Sequence, residues 1–269
     1  MQAYVIDLAE VKERAFNNSG LVFEVIGGHG LSRYPEIKER VIVLGRAQNN
    51  NMTDYRIRSE THTLKFNCLV AEEKISHPLH SVFLVYSLTE MGTIIYSQKY
   101  GKPPVMSERD RIIADYGNLE VGYAIKAIAE MFINAGWFST VTCAREDNRI
   151  QFENGAIYEP DIVATDGKQR SYFEYEDGFI KPSDFCAKLN MMCKVTGILN
   201  LVAPNDTALK RVQIHVESWI KSRGGIRALQ KKEVRLSTAK RLQGVDPRVG
   251  AKWFAVYDMN ADAPIYSGK

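Results

Sequence analysis

Apolar residues recur at helical spacing in several long stretches and at strand-like spacing in short runs between them, and this alternation sets the expected order of elements. Residues 35–48 open on Pro-Glu and carry Ile37, Val41, Ile42 and Leu44 on roughly one face, which suits a helix capped by Ser32 or a neighbour. After Asn49-Asn50-Asn51, residues 53–69 read as a second helix. Residues 69–74 and 82–88 read as two strands joined by a polar turn, and Leu88-Thr89-Glu90-Met91-Gly92 opens another helix with a threonine cap. Gly101-Lys102-Pro103-Pro104 then breaks the chain, so one domain is expected over residues 1–106 and a second over 107–269.

In the second part, residues 118–135 form the clearest helical pattern, with Leu119, Tyr123, Ile128 and Phe132 among its recurring apolar positions and Gly136 as its stop. Four strand-like runs follow, at 138–144, 149–153, 161–165 and 171–176. Residues 182–196 and 207–222 read as helices, and 198–203, 233–237 and 253–257 as strands. Together these describe an α/β sandwich around a mixed sheet.

At 269 residues, 45% hydrophobic and 25% charged, the chain can bury a sizeable core, which argues against disorder as its main state. The start, Met1-Gln2-Ala3-Tyr4-Val5, lacks a signal-peptide pattern and no later run approaches a membrane span, so a cytoplasmic protein without membrane contact is expected. Cys68, Cys143, Cys186 and Cys193 form no C-x-x-C pair and read as buried thiols in a reducing compartment. His77-x-x-His80 has a suggestive spacing, but Pro78 argues for a loop. Lys+Arg against Asp+Glu number 12 and 11 over residues 1–106, 10 and 16 over 107–206, and 13 and 5 over 207–269. An acidic segment followed by a basic one suits an enzyme that holds a cation and acts on nucleic acid.

The chemistry concentrates in Tyr158-Glu159-Pro160-Asp161 and Phe173-Glu174-Tyr175-Glu176. Residues two apart on a strand share a face, so Glu174 and Glu176 can aim at one point. The short Asp166-to-Arg170 connection makes the strands antiparallel neighbours, which brings the start of the first, Asp161, to the end of the second. Three converging carboxylates repel unless a cation joins them, and hard oxygen ligands favour Mg²⁺ or Mn²⁺. Glu120, near the start of the long helix, is a further candidate ligand and is preferred to Glu130.

These residues resemble the PD-(D/E)xK, or restriction-endonuclease-like, nuclease superfamily over residues 118–203. The resemblance implies a restriction-endonuclease-like fold, Asp161 and Glu174 as metal ligands, and a lysine at the position that Glu176 holds here. Some branches of that superfamily carry acid-x-acid and take the lysine from the next helix, where Lys188 stands, so Asp161, Glu174, Glu176 and Lys188 form the expected catalytic set. The first hundred residues resemble winged-helix DNA-binding domains, with Leu88-Thr89-Glu90-Met91-Gly92 following the wing. That implies DNA contacts from Arg56, Arg58 and Lys65, while the basic C-terminal part offers Lys210, Arg211, Arg227, Lys231 and Lys232 for the DNA backbone. Taken together with Lys188-Leu189, Ser237-Thr238-Ala239-Lys240-Arg241-Leu242 and Trp253, the chain is similar to the replication-relaxation proteins of plasmids and integrative elements. The similarity implies a metal-dependent endonuclease or nickase acting on DNA in a mobile element. The alternative is an inactive DNA-binding regulator on a nuclease-like scaffold, favoured by Glu176 at the lysine position. DNA is the expected partner, and the sequence leaves open whether the protein is a homodimer.

Overall fold

A computed structural model describes residues 20–76, 79, 82–167, 169–225, 232–258 and 265–266. The fold is mixed α/β, and the chain divides into two compact units, the first reaching Leu119 and the second starting at Glu120. No helix among the described residues is long and apolar enough to cross a membrane.

In the first unit, α1 (residues 20–28), α2 (Tyr34–Ala47) and α3 (Asp54–Phe66) precede a hairpin of β1 (Val70–Ser76) and β2 (Val82–Leu88). The hairpin is antiparallel, with Val70 opposite Leu88 and Ser76 opposite Val82, and Arg33 bridges to Val85 on its other side. Phe23, Ile26, Ile37, Val41, Ile57, Leu64 and Tyr96 close the core between these elements. Local chemistry at the next helix, α4 (Glu90–Tyr100), explains the Leu-Thr-x-x-Gly pattern. The Thr89 hydroxyl accepts from Gly92 N at 3.0 Å and donates to the Cys68 carbonyl at 2.6 Å, tying the helix start to the end of α3. Gly92 lies against the Leu69 carbonyl so closely that a Cβ there would stand 2.0 Å from its oxygen.

The boundary falls later than the Gly-Lys-Pro-Pro break suggests, because α5 (Glu108–Tyr116) belongs to the first unit. Val105 N donates to Gly27 O at 2.8 Å, Glu108 N to Gly30 O at 2.7 Å and Arg109 N to the Ser32 hydroxyl at 3.2 Å. The Arg109 guanidinium also pairs with Glu73 on β1. These bonds hold the segment after the prolines to the N-terminal helices.

The second unit runs through α6 (Leu119–Ala135), β3 (Thr140–Thr142), α7 (Arg145–Asn148), β4 (Ile150–Gln151), β5 (Ile157–Tyr158), β6 (Ile162–Thr165), β7 (Arg170–Tyr175) and α8 (Pro182–Val195). It continues with β8 (Ile198–Ala203), α9 (Asp206–Ser222), β9 (Glu233–Thr238), α10 (Ala239–Leu242), β10 (Ala255–Asp258) and β11 (Ile265–Tyr266). Among the described residues, seven strands form one mixed sheet in the order β11-β10-β9-β8-β7-β6-β3. The β7, β8 and β9 neighbours are parallel, and the remaining pairs are antiparallel. The run at 149–153 is not part of that sheet. It forms a separate hairpin of β4 and β5, closed by Gly155 at φ 78° and by the Asn154 side chain accepting from Ala156 N at 3.2 Å. With α7 carrying the chain aside, β3 pairs directly with β6.

Period-2 alternation assigns the two sheet faces. Leu199, Leu201, Val234, Leu236 and Ala255 meet Phe185, Leu189 and Met192 of α8 and Val212, Val216 and Trp219 of α9. On the opposite face Phe173 meets Phe132 of α6, with ring centroids 4.9 Å apart, and Trp253 stacks on it at 6.4 Å. Glu174 follows Phe173 and therefore faces α8. The expectation of buried thiols does not hold for Cys68, which is exposed in a left-handed residue after α3, while Cys143, Cys186 and Cys193 are partly buried.

Candidate functional site

Asp161, Glu174, Glu176 and Lys188 meet at the end of β7 under α8. Ile162 pairs with Phe173, so the antiparallel register carried one step further sets Asp161 opposite Glu174 on the same face. The Asp161 carboxylate is fixed there by the backbone amide of Tyr175, which donates to Oδ2 at 2.9 Å. On α8, Phe185, Leu189 and Met192 form the buried stripe, and Lys188 lies next to Leu189 in it. Its Nζ stands 2.5 Å from Glu174 Oε2, 2.6 Å from Glu176 Oε1 and 3.9 Å from Asp161 Oδ2. All three carboxylates are buried, whereas Lys188 keeps 24% of its side chain exposed.

Three further residues complete the site. Tyr158 on β5 is buried and donates its hydroxyl to Glu174 Oε1 at 2.5 Å. The buried Asn148, ending α7, donates to the Pro160 carbonyl at 2.9 Å and accepts from the Thr142 hydroxyl at 2.6 Å, which fixes the Pro-Asp turn against β3. Arg145 approaches Asp161 Oδ1 at 3.9 Å. None of the three belongs to a periodic pattern, and the only signal for them along the chain is the proximity of Tyr158 to Pro160-Asp161.

Burial dominates the electrostatics. It pushes the Glu174 carboxyl up to about 8, with Asp161 adding to the rise and Lys188 and Tyr158 opposing it. Glu176 is raised for the same reason, again against the pull of Lys188. Burial alone would lower Lys188, but Glu174, Asp161 and Glu176 outweigh it and hold the ammonium well above its ordinary pKa. Burial and Glu174 likewise raise the Tyr158 phenol, which keeps it a proton donor. The cluster is thus an excess of acid around one firmly charged cation.

Glu120 is not brought to this group. It stands exposed in the first turn of α6, where its charge acts on Tyr175, and alternation points Tyr175 away from the face of Glu174 and Glu176. Among the described residues no group of three or more His, Cys, Asp or Glu side chains is arranged to hold a metal ion. Mg²⁺ keeps several waters and needs only one or two carboxylates, so the donor chemistry of Asp161 and Glu174 still fits it. Glu174 Oε2 is buried without a hydrogen bond of acceptable geometry, although the ammonium lies against it.

The basic candidates divide. Arg56 pairs with Glu60 at 3.1 Å, Arg58 with Asp54 at 2.9 Å and Lys65 with Glu72 at 2.6 Å, so each already has a carboxylate partner, although Arg56 and Arg58 remain exposed on α3. Lys210 is exposed on α9, and Arg211 donates to the Asp177 carbonyl at 2.9 Å. Lys232, expected to contact DNA, instead donates to the Cys193 and Thr196 carbonyls at 2.7 and 3.0 Å. It is spent on the otherwise orphaned C-terminus of α8. Arg227 and Lys231, like His77 and His80, lie outside the described residues.

Compared with protein-family models, with curated proteins and with solved structures, the chain matches none.

Proposed function

We propose that the protein is a metal-dependent DNA endonuclease or nickase, built as a winged-helix DNA-binding unit and a restriction-endonuclease-like unit. The observation that carries this reading is the convergence of Asp161, Glu174 and Glu176 from two adjacent strands on the Lys188 ammonium from the next helix. Three helices, a two-stranded hairpin and exposed Arg56 and Arg58 on α3 support DNA docking by the first unit. The likeness to replication-relaxation proteins supports a role in mobilising or replicating a mobile element.

Asp161 and Glu174 would hold Mg²⁺ or Mn²⁺, which when bound supplies a Lewis acid against the phosphodiester and an activated water. Tyr158 and the Tyr175 amide hold the two carboxylates at fixed positions. Lys188 remains charged across the working pH range, so it can neutralise the phosphate and orient the nucleophile. Glu176 anchors that ammonium beside Asp161 and Glu174, which restores from α8 the charge that a lysine at position 176 would supply.

Replacing Asp161 by Asn should abolish cleavage of a duplex in Mg²⁺ while DNA affinity in a gel-shift assay stays within about twofold, since catalytic and binding losses separate in this way. Unchanged cleavage by that variant would contradict the assignment. A second reading, an inactive DNA-binding regulator, is favoured by the two short contacts with which Glu174 and Glu176 already occupy Lys188. Salt-dependent DNA binding without cleavage in any divalent ion selects it.

A further inference from the structure

Between β7 and α8 the chain makes a tight loop that displays a large aromatic side chain. Phe179 is 76% exposed. The loop under it is nonetheless firmly built. Phe179 N donates to Asp177 Oδ1 at 2.8 Å, and Arg211 on α9 donates through Nε and Nη2 to the Asp177 carbonyl at 3.3 and 2.9 Å. Gly178 has φ 77°, and a Cβ there would lie 2.6 Å from Arg211 Cβ, so the loop is pressed against α9 at a position only glycine suits. The Arg211 guanidinium lies over the Phe179 ring, 4.1 Å from its centroid. One ring face therefore carries a stacked cation, and most of the remaining surface meets solvent.

We propose that Phe179 and Arg211 form a shelf on which an unpaired nucleobase stacks beside the Asp161–Glu174–Lys188 cluster. The inference rests on the nuclease reading and deepens it, because it makes the substrate DNA with a single-stranded or locally opened stretch rather than an intact duplex. Phe179 is three residues from Glu176, which limits their Cα separation to about 11 Å, a short reach along one strand. An aromatic face takes any base by stacking, and a guanidinium beneath it adds cation–π attraction and positive charge toward the backbone. Unlike a singly exposed aromatic, this ring has a guanidinium fixed over it and stands on a loop whose backbone is bonded to α9.

The test uses the full chain carrying Asp161→Asn, so that binding is measured without cleavage. Anisotropy is read with a labelled single strand, the same strand with its bases removed, and the blunt duplex. Adding Phe179→Leu keeps an apolar side chain but removes the π face; it should weaken binding of the intact strand about tenfold, leave the abasic strand and duplex unchanged, and be rescued by Phe179→Trp. The inference is overturned if Phe179→Leu binds the intact strand as tightly as the parent, or weakens intact and abasic strands equally. Duplex binding with no single-strand binding at all overturns this inference alone, while failure to bind any of the three removes the nuclease reading with it.

Discussion

Lys188 balances the charge of the site, and its removal has a definite cost. Lys188→Met would leave Glu174, Glu176 and Asp161 facing one another in a buried place, and losing one partner of a buried ion pair costs about 3–5 kcal/mol. The loss should be large in urea unfolding at pH 8 and shrink at pH 5, where protonation of Glu174 relieves the repulsion. Added Mg²⁺ should recover part of it if the carboxylates accept a cation. Equal destabilisation at both pH values, with no response to Mg²⁺, would contradict this account of the cluster. Glu174 also makes the stability of the unsubstituted protein depend on pH. Its folded-state pKa of about 8 lies above the ordinary 4.5, so between these values the folded protein keeps a proton that the unfolded chain has released. Stability is therefore fullest below the ordinary carboxyl pKa and is lost as pH rises through about 8. Glu174→Gln should flatten that decline in unfolding curves taken from pH 5 to 9, and an unchanged slope would assign it to another group. Asp161, Glu174 and Glu176 are legible in the sequence because strand alternation and a short hairpin connection determine where they point; Lys188 is suggested only by the nuclease resemblance, and its direction follows from the placement of α8 over the sheet. Tyr158 and Asn148 are not legible, because they arrive from β5 and α7, which local turn chemistry creates without any repeating apolar pattern.

At the scale of elements, α8 holds the site together by putting Lys188 next to a stripe that packs on β8 and β9. Strong 3.6-residue periodicity made that helix, α6 and α9 readable within a residue or two. The weak places were those where turn chemistry and non-local bonds decide the backbone: Asn154 and Gly155 turn β4 back onto β5, and the bonds from Val105, Glu108 and Arg109 keep α5 with the first unit. Gly92 illustrates a pattern whose cause appears only in three dimensions. Its sequence context announces a helix start, but the reason for glycine is the Leu69 carbonyl against its Cα. Gly92→Ala should therefore destabilise the first unit by about 1–3 kcal/mol, as overpacking does, although alanine is the better helix former. Calorimetry would show it, and an increase in Tm would mean that α4 can shift away from the hairpin.

Across the whole molecule, the uneven charge suggested by the sequence is only partly available to a polyanion. Lys65 is paired with Glu72 and Lys232 with helix-terminal carbonyls, while Lys210, Arg56 and Arg58 remain at the surface. Within residues 207–269, Arg235 pairs with Glu233 and Arg248 with Asp246 as well, so salt-dependent affinity is expected from fewer cations than the count over that range implies. The mixed sheet and the acid cluster could be anticipated from one chain because both follow from short-range pattern and register. Activity could not, because Glu176 in the lysine position is compatible with cleavage through Lys188 and with a silent scaffold alike. Conversion of supercoiled plasmid to open-circular or linear form separates these directly, measured with wild type and Asp161→Asn in Mg²⁺, in Mn²⁺ and in EDTA. The account predicts conversion by the wild type with either metal, none in EDTA and none by the variant; conversion that survives EDTA or Asp161→Asn, or its absence from the wild type in both metals, would contradict it.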